Sequence, residues 1–150
     1  MLPHVNLTKL VPGLYEAQLA ADKAADEAAT AAGLDPLLVE LVKMRASQLN
    51  GCAFCLRMHA RDAIEKGESA DRLAVVAAWW ETQYFTPQEQ AALTLAEQVT
   101  RIGELHTTPA PGVDIDAVLD EKQVAAVVAV VIAINTWNRI AIASHYPVAP

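Results

Sequence analysis

Cysteine is scarce, with two residues in 150, and this excludes both a disulfide-stapled scaffold and a structural zinc site built on two Cys-x-x-Cys pairs. Aromatic residues are few, at 5%, while alanine is abundant, which argues against a sheet sandwich and for closely packed helices. Lysine and arginine number 11 against 18 acidic residues, a formal charge of −7, and form no basic patch. A nucleic-acid partner is thereby excluded. No apolar run approaches the roughly twenty residues of a membrane span. The longest, Val124 to Ile134, predicts a buried helix, and no membrane association is expected. The amino terminus lacks the charged and apolar regions of a secretory signal, so a cytoplasmic location is expected. No repeat or composition break divides the chain, and with 53% hydrophobic types it is expected to form one domain spanning 1–150.

What is present is helical punctuation. An Ala-rich first helix is predicted over Gly13 to Ala32, stopping at Gly33. Asp35-Pro36 supplies an N-cap and first-turn proline for a second helix to about Leu49. A third reaches Lys66 and a fourth covers Ala70 to Gln83. Thr86-Pro87-Gln88-Glu89 is a capping box opening a fifth helix to about Gly103. A loop from His106 to Gly112, a short turn over Asp114 to Leu119, a last helix from Glu121 to Ser144 and a tail complete an all-α bundle of about six helices. The last helix is apolar almost all round, which demands burial on several sides, as a core helix or at a subunit interface.

The chemistry concentrates between Glu40 and His59. Cys52, Cys55 and His59 are spaced three and four apart, so a helix brings them onto one stripe. With Asn50 read as the N-cap, Cys52 falls in the first helical turn, where unpaired amides and the positive dipole end favour thiolate over thiol. His59 can take a thiol proton directly or through water, and a nearby acid would orient its ring. Glu40 is the preferred acid, reachable through a tight antiparallel return at Leu49-Asn50-Gly51; Asp62, three residues after His59, is the second candidate.

The run Glu-Leu-x-Lys-x-Arg-Ala-Ser-Gln-x-Asn-Gly-Cys-x-x-Cys-x-x-x-His from Glu40, followed by Arg61-Asp62-Ala63, resembles the signature of the alkylhydroperoxidase D-like branch of the carboxymuconolactone decarboxylase family. Arg72-Leu73, Trp79-Trp80-Glu81, Phe85-Thr86 with Glu89 and Ala91-Ala92-Leu93, and Asn135-x-Trp137-Asn138-Arg139 extend the likeness over roughly residues 35 to 140. The resemblance implies an all-helical homo-oligomer, trimer or hexamer, with antioxidant peroxidase activity, reducing organic hydroperoxides. It implies catalytic roles for Glu40, Cys52, Cys55 and His59. Cys55, deprotonated by His59 with Glu40 behind it, would attack the peroxide, and Cys52 would resolve the sulfenic acid as a disulfide. An external dithiol reductant, a dihydrolipoyl or thioredoxin-like protein, would restore the pair, with no bound cofactor and no metal. Cys52, at the helix start, is expected to be the more exposed sulfur. Phe54 is placed to shape peroxide access.

Two other functions fit the same residues. A lactone decarboxylase is one, although family members of that kind do not need the dithiol; an oligomeric redox sensor switching through the disulfide is the other. Ser47, Gln48 and Asn50 are candidates for hydrogen bonding around the site. His4, His106 and His145 read as surface residues, Met44 and Met58 as core filler, and Trp79, Trp80 and Trp137 first as packing aromatics and second as pocket walls.

Overall fold

The computed structural model describes residues 2–105 and 112–150, and no strand occurs among them. Among the described residues seven α-helices follow in order: α1 (Leu7–Leu10), α2 (Pro12–Ala31), α3 (Pro36–Asn50), α4 (Ala53–Glu65), α5 (Ala70–Val75), α6 (Pro87–Thr100) and α7 (Glu121–Ala143). The expected all-α fold is realised, with the short α1 as the added element. The expected fourth helix is α5 continued by a 3₁₀ turn, Val76–Glu81, kinked at Ala78. The fifth helix stops at Thr100 and passes into a second 3₁₀ turn, Ile102–Glu104. Asp114 to Leu119 forms a hydrogen-bonded turn, with the Val118 and Leu119 amides donating to the Ile115 carbonyl. His106 and the proline-rich stretch after it lie outside the described residues.

Local chemistry sets most boundaries. Asp35 caps α3, its Oδ1 accepting from the Leu37 amide at 2.8 Å, with Pro36 in the first turn. The Thr86/Glu89 capping box opens α6 as its sequence predicts, and Asp120/Gln123 makes a second one at α7.

The main core gathers Leu38 and Val42 of α3, Ala91, Ala92 and Ala96 of α6, and Ala126, Val127, Val130 and Val131 of α7. Each large aliphatic side chain buried there is worth ~1.5–3 kcal/mol relative to exposure. α2 lies along α7 through small residues, Ala25 and Ala29, while Leu14 and Leu19 remain exposed. Gln18 is buried between the two helices and donates to the Ala133 carbonyl at 2.9 Å.

α7 is longer than its apolar run suggests. Alanine and isoleucine continue the helix beyond Ile134, so by length and composition it could cross a membrane, with half of its apolar window buried inside the bundle. It also carries Asn135, Asn138 and Arg139, and the fully buried Asn138 is hydrogen-bonded to α3. That is the pattern of a core helix.

Residues near the two chain ends clasp one another, and His4 and His145, read from the sequence as surface residues, meet there. Val5 donates to the Ala143 carbonyl at 3.1 Å, His4 Nε2 sits 3.0 Å from the Ser144 carbonyl, and the His4 and His145 rings stack at 4.9 Å. Thr8 Oγ1 and the Tyr146 hydroxyl are hydrogen-bonded at 2.7 Å, which fixes the Tyr146 ring on the cavity described next.

Candidate active site

The turn between α3 and α4 builds the site. Asn50 is the last residue of α3 and does not cap α4; Gly51, at φ 67°, is the left-handed residue that ends α3. Gly51 N–H donates to Gln48 O at 3.2 Å and Cys52 N–H to Ser47 O at 3.0 Å, the paired bonds of a Schellman ending. Cys52 is therefore itself the N-cap residue, and the first turn of α4 belongs to Ala53, Phe54 and Cys55. The expectation that Asn50 caps the helix and places Cys52 in its first turn does not hold, because long-range bonding holds Asn50 at the end of α3. The Asn50 Nδ2 group donates to Asn135 Oδ1 at 2.9 Å and Asn138 Oδ1 at 2.8 Å.

The two thiols are free and lie with their sulfurs 2.9 Å apart. Both are buried, Cys52 at 1% and Cys55 at 2% exposure, so the expected exposure of Cys52 does not hold. Its position between the end of α3 and Ile134 and Ala141 of α7 closes it off. Access runs instead through a cavity of about 310 Å³ that Cys55 and His59 both line and Cys52 does not.

The pair behaves as two sulfurs sharing one proton. The hydrogen bond from Cys55 lowers the Cys52 thiol to about 7 against the opposing effect of burial. The Cys55 and Phe54 backbone N–H groups pull the same way, although they fall short of a capping bond to the thiol. The hydrogen bond to Cys52, reinforced by burial, pushes Cys55 far up. Asn138 favours the thiolate form of both sulfurs by hydrogen bonding.

Glu40 meets His59 as the antiparallel return predicts. Glu40 Oε2 and His59 Nδ1 are 2.9 Å apart, and both residues are buried. Asp62 is the more distant acid, 3.9 Å from the same nitrogen. Lys66, at the end of α4, pairs with Glu40 Oε1. Burial works to raise the Glu40 carboxyl, but the hydrogen bonds from His59 and Lys66, with their charges, override it and hold Glu40 below the ordinary carboxylate range. An ionised Glu40 accepts from Nδ1–H, which leaves the lone pair of His59 on Nε2. Glu40, His59 and Asp62 also bring ligand atoms within 4.8 Å of one another, and Lys66 pairs with Glu40 in the same group.

Of the second-rank candidates, Ser47 and Asn50 join a buried ladder beneath the dithiol. Asn138 Nδ2 donates to Ser47 Oγ at 3.0 Å, and Ser47 Oγ donates to the Lys43 carbonyl at 2.8 Å. Gln48 instead accepts from Arg45, at 3.2 Å. Trp79 is packing, buried and donating to Glu97 at 3.0 Å. Trp80 is exposed, and Trp137 is a cavity wall. Met44 is core, whereas Met58 is exposed and lines the cavity. Asp22, Tyr15 and Tyr146 also line it, and sequence reasoning missed all three along with Lys66. Tyr15, Asp22 and Tyr146 carry no local signal, because they reach the site from α2 and from the tail, whereas Lys66 lies two turns after His59 at the end of the same helix, a spacing that could have found it.

Fold and geometry together define an all-helical protein with a buried Cys-x-x-Cys dithiol beside a histidine–glutamate pair. The pattern of the carboxymuconolactone decarboxylase family matches residues 12–98, and the chain belongs to that family. Its fold is that of the AhpD-like members. Among curated relatives, the uncharacterized protein YdfG of Bacillus subtilis (strain 168) is 41% identical over 104 residues, 69% of this chain and 71% of YdfG. The uncharacterized protein YnjA of Escherichia coli (strain K12) is 36% identical over 64 residues, 43% of this chain and 35% of YnjA. A crystal structure from Agrobacterium tumefaciens, of a protein of unknown function suggested to be the antioxidant defence protein AhpD, superposes with a TM-score of 0.83 at 31% identity. That superposition covers 97% of this chain and 99% of the other.

Proposed function

We propose that the protein is a thiol-dependent peroxidase that reduces organic hydroperoxides through a Cys52–Cys55 disulfide cycle, with His59 and Glu40 as its proton relay, carried on one domain. The observation that carries this reading is that Cys55 and His59 line the same cavity while Cys52 waits 2.9 Å behind Cys55.

A thiol proton passes to His59 Nε2, directly or through cavity water, and Glu40 stabilises the imidazolium through Nδ1–H. The remaining proton moves between the sulfurs. A peroxide in the cavity meets Cys55, so reaction draws on the tautomer with the thiolate there. The Cys55 sulfur bonds to one peroxide oxygen, the O–O bond breaks, and the departing alkoxide takes the proton from His59. Alcohol and Cys55 sulfenic acid result. The Cys52 sulfur then attacks Cys55, its proton leaves with the hydroxyl group as water, and a disulfide forms. Closing 2.9 Å to a bond of ~2.05 Å needs only a small movement of the two side chains. An external dithiol returns both thiols by exchange, becoming a disulfide itself, and enters at Cys55 because Cys52 is closed off.

Homo-oligomeric assembly belongs to the same proposal, and the exposed Ile132 and Ile142 on the largely apolar α7 support it. The test is steady-state consumption of cumene hydroperoxide with a dihydrolipoyl or thioredoxin-like donor. Wild type should turn over, Cys52→Ser should complete a single event, and Cys55→Ser should do neither. Turnover retained by Cys55→Ser would overturn the assignment.

A further inference from the structure

The cavity beside Cys55 is framed by two edge-to-face aromatic pairs from distant parts of the chain. Tyr15 and Trp137 stand 5.3 Å apart, and Phe54 and Tyr146 5.0 Å apart. Such pairs are rigid and mostly apolar, and at about 310 Å³ the space sits at the small end of the ~300–1,000 Å³ range of ligand pockets. It suits a compact aryl or branched-alkyl body more than a long chain.

Its charge is one-sided. Among the described residues, no lysine or arginine lines it. The titratable groups that do are Asp22, Cys55, His59 and the two tyrosines. His59 has its Nδ1 engaged by Glu40, and Lys43, whose charge reaches Asp22, does not line the cavity and is paired with Asp26 at 2.8 Å. Asp22 reaches the cavity from α2, half-buried; burial raises its carboxyl, Lys43 pulls it back down, Asp26 pushes it up, and the Trp137 side chain and His59 favour the carboxylate. An anionic ligand entering here would lose water and face a carboxylate in front of a thiolate-forming pair, with no free cation among the lining residues to offset either.

We infer that Asp22 is a specificity-determining residue that makes the cavity select compact neutral hydroperoxides and reject those carrying a carboxylate. The chemistry in this statement rests on the peroxidase reading; the charge preference of the cavity does not.

The test uses a matched pair, cumene hydroperoxide with a para carboxylate and its methyl ester. Their bodies are alike, and only one is charged. Wild type should favour the ester in kcat/KM by ~10-fold or more, the scale of one like-charge contact in a partly desolvated site. Asp22→Asn, which keeps an acceptor for Trp137, should shrink that ratio by at least ~3-fold, and Asp22→Glu should preserve it. A ratio near one in wild type, or an unchanged ratio in Asp22→Asn, overturns the inference. The alcohols corresponding to the two peroxides, titrated by calorimetry, read the same preference without any reaction. If neither peroxide is consumed while the ester alcohol still binds better in an Asp22-dependent way, the peroxidase reading fails and the selectivity stands. Equal binding of the two alcohols overturns the selectivity whatever the turnover.

Discussion

Removing the sulfur of Cys55 should change the acidity of Cys52 in a direction opposite to simple relief of crowding. In the wild type, the hydrogen bond from Cys55 is the largest influence on Cys52 and brings it to about 7 against burial. Cys55→Ala deletes that donor and leaves burial acting with weaker opposition. A hydrogen bond to a charged group is worth ~1.5–3 kcal/mol, and 1.36 kcal/mol corresponds to a tenfold change in acidity, so the midpoint should rise to ~8–9. At pH 7 the thiolate at Cys52 should fall from about half to between ~1% and ~10%. Cys55→Ser supplies the control, because its hydroxyl still donates and the midpoint should stay well below that of Cys55→Ala. Thiolate absorbance in the ultraviolet, followed against pH, reads this without needing a reagent to reach a buried sulfur. The sign is fixed: thiolate appears as pH rises, so destabilising it moves the curve to higher pH. A Cys55→Ala curve superimposable on wild type would refute the shared-proton description.

Three further outcomes follow from neighbouring contacts. Asn138→Ala should raise the same midpoint and also slow peroxide reduction, whereas Asn50→Ala, which loses a bond to Asn138 but none to sulfur, should lower stability and leave the midpoint in place; equal midpoints in the two variants would remove Asn138 from the site. Glu40→Gln and His59→Ala should each reduce peroxide turnover ~10²-fold or more, with the double variant losing far less than the product of the two, and multiplicative losses would separate Glu40 from His59. Because Glu40 is held below its unfolded range, its stabilising contribution is complete at neutral pH and is lost as pH falls through its folded value. The thermal stability gap between wild type and Glu40→Gln should therefore narrow on acidification, and a constant gap would contradict the ionised Glu40.

The parts of this architecture that the sequence announces are those written in local spacing. Asp35-Pro36 and the Thr86/Glu89 box fix where α3 and α6 begin, and Cys55 and His59 share α4 one turn apart, with Cys52 at its N-cap. The Glu40–His59 contact was legible because only a tight return could bring α3 back along α4, and Gly51 allows it. The start of α4 was misplaced because Asn50-Gly51 can open one helix or close another. The choice is made by Asn135 and Asn138, far along the chain. The exposure of Cys52 was misjudged for the same reason, since the covering residues Ile134 and Ala141 arrive from α7. Asp22 and the tyrosines of the cavity wall depend wholly on how the helices pack, and no local pattern encodes that, while Lys66 follows His59 by two turns on α4 and was open to the same stripe argument.

The most direct measurement of the central claim is the mass and cysteine pairing of the reduced protein after one equivalent of cumene hydroperoxide, with the alcohol product quantified in the same sample. The account predicts loss of two hydrogens per chain, a Cys52–Cys55 linkage in the peptide map, and one alcohol per disulfide. Peroxide left unconsumed, or a product oxidised at Cys52 alone with Cys55 still a free thiol, would contradict it.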